Sequence, residues 1–176
     1  MLIAFSGRAG AGKTTAAWFF ERHGFVRTRF AGPLKDMIRA LGLSEQEIDG
    51  DLKEKPCALL GGATPRHAMQ TLGTEWGREL IHPELWAVIW QDRARRLLDM
   101  GRSVVVDDCR FPNEVVAIKA LGGKIVRIHT TDPASPGAAH CSETQNLPFD
   151  ATVLNEGTDL EVFESRLRGL IDQLWG

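Results

Sequence analysis

The run Gly7-Arg8-Ala9-Gly10-Ala11-Gly12-Lys13-Thr14 places three glycines, a lysine and a hydroxyl within eight residues. This is a full G-x-x-x-x-G-K-[ST] phosphate-loop pattern. Such glycines let the backbone curl until the N–H groups of Ala9, Gly10 and Ala11 point at phosphate oxygens, at the positive end of the following helix. Lys13 is then expected to reach the β- and γ-phosphates of ATP. The Thr14 hydroxyl, with Thr15 beside it, is expected at the Mg²⁺ ion. The flanks agree, because Leu2 to Ser6 is a short apolar run and Lys13 to His23 has a helical pattern that Gly24 stops.

A second cluster follows a β-branched run. Val104-Val105-Val106 leads into Asp107-Asp108-Cys109-Arg110, two carboxylates and an arginine at the carboxyl end of a buried strand, where open α/β sheets bind ligands. One acid, with Asp107 as the metal-side candidate, can hold a Mg²⁺-bound water. The other can accept a hydrogen bond from the acceptor or orient Arg110, whose planar fork suits a phosphate. The bland alternative is a strand-end cap with a surface ion pair. Adjacent acids at a buried strand end are costly without a cation nearby, which favours the first reading.

Further candidates lie elsewhere. The pattern from Thr64-Pro65 reads as a helix to about Leu80, with Met69, Leu72 and Trp76 on a core face. Its other stripe carries Arg66, Gln70, Gly73, Thr74 and Gly77: a cation for a phosphate, an amide for a base edge, and small residues that admit a ring. An ordinary solvated face fits this stripe equally well. Lys35 follows the second strand and can touch substrate or simply be solvated. Arg127, near a strand end, can meet the adenine or the donor phosphates. Glu143, in His140-Cys141-Ser142-Glu143, sits on a loop that can close over the site, and two candidate ligands there do not make a zinc site. Trp86 and Trp90, four apart, read as core or dimer interface.

These groups must be positioned by alternating elements. Strands are expected at Leu2–Ser6, Phe25–Phe30, Ser103–Val106, Lys124–His129 and Ala151–Leu154. Helices are expected at Pro33–Leu41, at a short turn capped by Ser44 and Glu47, at His82–Met100, at Asn113–Leu121, and after a Thr158–Glu161 capping box. The last helix has an apolar stripe of Leu160, Phe163, Leu167, Leu170, Ile171 and Leu174. Residues 49–64 read as a mobile loop and 130–148 as a flexible excursion. This order predicts an α/β fold of the P-loop NTPase type, three-layered, with a mainly parallel sheet covered on both faces.

The chain has 176 residues, 43% of them hydrophobic and 25% charged, which suits one globular domain with a substantial core. A formal charge of −2 gives no electrostatic case for a nucleic-acid polymer. Its apolar runs fall short of a bilayer span, and its start reads as a strand rather than a signal peptide. Cys57, Cys109 and Cys141 are widely spaced and read as reduced structural thiols of a cytoplasmic protein. No Asn-Lys-x-Asp base-reading motif of a GTPase is present, and a compact chain with a loop on each side of the site suits a small-molecule kinase.

With these motifs in order, the chain resembles the bacteriophage-type deoxynucleoside monophosphate kinases of the P-loop nucleoside monophosphate kinase superfamily. The similarity runs in patches over most of the chain. It takes in the P-loop, Ala31-Gly32-Pro33-Leu34-Lys35-Asp36, Arg66 with Met69-Gln70-Thr71-Leu72-Gly73-Thr74-Glu75, and Asp108-Cys109-Arg110 with Asn113-Glu114. His140-x-Ser142-Glu143 and Asn155-x-Gly157-Thr158 complete it. The P-loop is specific only for the superfamily, whereas the Gln-bearing helix and the Asp-x-Arg strand end narrow it. The resemblance implies Mg²⁺-dependent transfer from ATP to a deoxynucleoside monophosphate, with acceptor contacts from Arg66, Gln70 and Arg110. It implies an acceptor region at about 33–82, a lid at about 130–148, host-cytoplasm location if phage-encoded, and a homodimer as one assembly. Asp108 matches the family pattern more securely than Asp107. Two alternatives stay open: a kinase of another small acceptor, such as dephospho-coenzyme A, and a nucleotide-dependent switch.

Overall fold

A computed structural model describes residues 1–130, 147–157 and 159–176. The chain divides into two compact units, Met1–Arg29 with Trp90–Gly176, and Phe30–Ile89. The expected acceptor region, 33–82, falls inside the second.

The first unit is built on a fully parallel sheet of β1 (Leu2–Ser6), β2 (Phe25–Thr28), β3 (Ser103–Val106), β4 (Lys124–Thr130) and β5 (Ala151–Asn155). The strand order is β2-β3-β1-β4-β5, so the P-loop strand β1 is central. Register pairs Ala4 with Val106 and Ser6 with Arg127, which brings the turn after β1 to the same edge as the turn after β3. Strand side chains alternate between faces. Ile3, Phe5, Val105, Val126, Ile128 and Val153 pack with Ala16, Ala17, Phe19 and Phe20 of α1 (Lys13–Arg22) and with Phe163, Leu167 and Leu170 of α7 (Leu160–Trp175). On the other face the Trp90 indole N–H donates to Thr28 Oγ1 over 3.0 Å, and Gly123 leaves room for Leu2 against Ile118 of α6 (Pro112–Ala120). Trp90 belongs to α5 (Leu85–Asp99).

The second unit stacks α2 (Gly32–Ala40), α3 (Glu45–Ile48) and α4 (Pro65–Thr71) around Leu34, Ile38, Leu43, Ile48, Cys57 and Trp86. The Ser44–Glu47 capping box is present, with Ser44 N donating to Glu47 Oε2 over 2.8 Å.

Several expectations change. Residues 49–64 are laced by backbone bonds, Leu52 N to Gln46 O and Cys57 N to Ala63 O, around a 3₁₀ turn at Ala58–Leu60. Cys57 is buried there, so a polar, Gly-rich composition conceals an anchored loop. The expected Pro65–Leu80 helix is α only to Thr71, and Leu72–Ile81 is a π-helix that His82 N closes onto Gly77 O. A π-helix bonds i to i+5, so the i, i+3, i+7 rule stops predicting its faces. Trp76 accordingly stands 37% exposed, whereas Gly77 is buried. The last helix is capped by Asp159, which accepts from Glu161 N and Val162 N. Its first stripe residue, Leu160, is exposed. Trp86 and Trp90 are both buried, which removes the residues on which a dimer interface was read.

Candidate active site

The P-loop owes its shape to glycines whose positive φ strains any residue with a side chain. Gly7 has φ +145, and a Cβ there would lie 2.6 Å from Ile128 O. Gly12 has φ +97, and a Cβ there would strike the Asn155 side-chain amide. Asn155 Nδ2 in turn donates to Ala11 O over 3.0 Å, so β5 pins the loop from the far side. Gly12 is the left-handed N-cap of α1 and offers no side chain to cap it, and the first turn carries no acid. The uncapped first-turn amides and the helix dipole therefore favour an anion at this end. Lys13 Nζ donates to Gly7 O over 2.7 Å and to Arg8 O over 2.6 Å, which folds its charge over the loop.

Asp107 lies beside this loop. Thr14 Oγ1 donates to Asp107 Oδ2 over 3.3 Å. Sequence reasoning paired these two as metal-side groups, and the structure brings them together. Two residues it missed complete the cluster: the Arg27 guanidinium is ion-paired with Asp107 Oδ2, and Arg29 Nε donates to Asp107 Oδ1 over 3.1 Å. Strand parity held the signal. Phe25 and Arg27 share a face of β2, with Arg29 two residues on, just past the strand's end; Val105 lies on β3, with Asp107 two residues on, just past its end. Burial pushes the Asp107 carboxyl up, but Arg27 and Arg29 outweigh it and hold the group below its ordinary 3.8.

The Asp108-Cys109-Arg110 turn is shaped by another group that the reading of residue types left without a role. Glu114, 3% exposed in α6, accepts from Arg110 N over 2.6 Å and from Phe111 N over 3.0 Å through one oxygen. The Arg110 guanidinium is exposed, while Cys109 is buried, and burial with the charges of Glu114 and Asp108 raises its thiol well above 9.0. Cys109 and Cys57 are free and buried, as expected of structural thiols. Arg127, expected near the donor nucleotide, donates to Leu147 O over 3.0 Å and lies 4.7 Å from the Phe149 ring centre.

In the second unit, Arg66 pairs with Glu54 and Lys35 with Asp49. Gln70 and Thr74 are exposed. Trp86 of this chain occupies the space at Gly77, where a Cβ would lie 2.6 Å from its ring, and the Trp86 indole N–H donates to Gly73 O over 2.8 Å. These glycines serve packing. Glu143, His140, Cys141 and Thr158 lie outside the described residues, as does most of the expected lid.

No family model matches the sequence. Individual relatives do. A protein of Acanthamoeba polyphaga mimivirus, provisionally named a deoxynucleotide monophosphate kinase, is 34% identical over 188 aligned positions that cover 98% of this chain and 96% of that one. The chain belongs to the deoxynucleotide monophosphate kinase family. A deoxynucleoside-5′-monophosphate kinase of Escherichia phage T5 is 39% identical over 51 residues, 29% of this kinase and 20% of the phage protein. An uncharacterised herpesvirus protein, ORF76 of Ictalurid herpesvirus 1, is 27% identical over 89% of this chain and 61% of its own. The fold agrees with that of a solved structure from Chloroflexus aurantiacus, provisionally named a kinase, at TM-score 0.54 and 13% identity, over 99% of this chain and 98% of that one. The α/β expectation and the kinase resemblance are both borne out. Among the described residues no helix is long and apolar enough to cross a membrane.

Proposed function

We propose that this kinase transfers the γ-phosphate of ATP to deoxynucleoside 5′-monophosphates. The observation that carries the reading is the P-loop turn of Gly7 to Thr14 with Asp107 at the Thr14 hydroxyl, in a chain whose full-length relative is named for this activity. The backbone amides of Ala9 to Gly12 and the Lys13 ammonium bind the donor phosphates, with Thr15 at the helix start beside them.

Thr14 and Asp107 fit a Mg²⁺ ion. Magnesium keeps several waters, through which an acid such as Asp107 can hold it, so a protein cage is not needed. Among the described residues no group of three or more acids, histidines or cysteines forms one. The ion would neutralise charge on the donor phosphates.

The acceptor phosphate is already ionised at neutral pH, so no strong general base is required. Two anions must instead be brought together by cations and alignment. Arg110, presented by the Glu114-braced turn, supplies one cation. In the smaller unit Arg66 and Lys35 supply others, and Gln70 and Thr74 offer a base edge its hydrogen bonds. Asp108 accepts from the acceptor or aims Arg110. Glu143 is assigned to the acceptor by resemblance alone.

The test is steady-state ADP release with dGMP, dTMP, dCMP, dAMP and their ribose counterparts. Acceptor-stimulated release with the deoxy series is expected. ADP release that no monophosphate accelerates, or that only dephospho-coenzyme A accelerates, overturns the reading.

A further inference from the structure

Asp107 carries more positive charge than a strand-end carboxylate needs. Its side chain is 4% exposed, and both oxygens are taken, Oδ1 by Arg29 and Oδ2 by Arg27 and the Thr14 hydroxyl. Arg27 is itself 12% exposed and has Glu21 Oε2 at 3.6 Å from its other terminal nitrogen. Its Nε is buried without a hydrogen-bond partner among the described residues. A buried donor left unpaired is unfavourable, so this guanidinium is seated for its reach to Asp107 rather than for its own satisfaction.

Direct ligation of Mg²⁺ by Asp107 would need an oxygen at about 2.0–2.1 Å from the ion. An oxygen already shared with an arginine would have to turn toward the ion, which weakens a largely desolvated pair at a cost. Magnesium, in contrast, gives up its water reluctantly. The Thr14 hydroxyl spends its one hydrogen on Asp107 and keeps its lone pairs for an ion.

We propose that Arg27 and Arg29 are positioning residues of the nucleotide site: they clamp both oxygens of Asp107, so that the carboxylate orients the Thr14 hydroxyl and reaches the cation through water instead of binding it. This deepens the reading above, resting on its nucleotide and Mg²⁺ site but not on the identity of the acceptor. The arginines thus compete with the cation for Asp107, and their removal has a definite sign. Releasing the carboxylate and deleting a neighbouring positive charge both make the ion bind more tightly, in a geometry not suited to transfer.

The experiment titrates a fluorescent N-methylanthraniloyl ATP analogue against Mg²⁺ in the full chain. Arg27→Met and Arg29→Met should each lower the half-saturating Mg²⁺ by about threefold or more, while turnover falls. Arg27→Lys, which keeps the charge, should stay near the parent value. Asp107→Asn added to Arg27→Met should erase the gain. An unchanged or raised half-saturation in a variant whose thermal melt shows it folded overturns the proposal. If Arg27→Met does not fold, the more exposed Arg29 carries the same prediction. A parent that binds nucleotide with Mg²⁺ dependence but phosphorylates no monophosphate sinks the functional reading and leaves this test standing. Nucleotide binding indifferent to Mg²⁺ overturns the clamp.

Discussion

The Arg27–Asp107 pair of one unit and the Arg66–Glu54 pair of the other hold their arginines in opposite ways. In the sheet-built unit, Arg27 and Arg29 are sunk against Asp107, and Glu114 is buried with two backbone N–H groups on one oxygen. In the helical unit, Arg66 and Glu54 are 44% and 57% exposed. Buried pairs lose several kcal/mol when one partner is removed, whereas exposed pairs are worth about 0–1 kcal/mol. The first unit is therefore shaped before any ligand arrives. The second holds one pair, Arg66 with Glu54, that is exposed enough to be opened at little cost.

The sharpest way to break this contrast is Arg110→Ala. Loss of one transition-state donor costs about 10²–10³ in turnover, and ATP affinity should be nearly untouched. Equal turnover would remove Arg110 from the site. Next comes Glu114→Ala, which removes the acceptor shared by two half-buried N–H groups and should cost about 1–3 kcal/mol in all, read by chemical denaturation. Glu114→Gln keeps an oxygen there and should recover much of the loss. An alanine variant as stable as the parent would contradict a pre-shaped turn.

Gly77→Ala probes the helical unit where it is packed rather than exposed. Its Cβ meets the Trp86 ring, so overpacking of about 1–3 kcal/mol is expected, read by calorimetry. Acid unfolding sharpens the sheet side further. Asp107 is depressed in the folded state, so its stabilising contribution is complete above its ordinary 3.8 and is lost as pH falls through the lower folded value. Arg29→Met should flatten that acid limb, and a limb as steep as the parent's would deny the pairing. The smallest effect belongs to Glu54→Gln, about 0–1 kcal/mol in stability. A larger loss would mean that the helical unit's cations are as firmly held as those of the sheet.

How much could be read in advance follows the same division. The P-loop, the Ser103–Val106 strand and the alternation of strands with helices were legible, because glycine spacing and β-branched runs act locally. Arg27 and Arg29 were not, although their parity matched Phe25, because their partner lies about 80 residues away, just past the end of another strand. Glu114 was visible only as part of a resemblance. Its role needed the turn that folds Arg110 N onto it. The end of the Arg66–Gly77 stripe past Leu72 misled because its faces were read on an α period, while Leu72–Ile81 follows another. There the Trp86 indole fills the room the glycines leave, a contact set by tertiary packing rather than by local spacing.

That wider ladder bears on how this segment can change length. Each of its bonds spans one residue more than an α-turn does, so a single deletion between Leu72 and Ile81 can be absorbed by reverting to ordinary α-helix without opening a gap in the backbone. The deletion would leave Arg66 and Gln70 where they are but swing Leu80 and Ile81 around the axis. Sequences related to this one that are a residue shorter at this point should therefore carry their exposed apolar side chains on a different side.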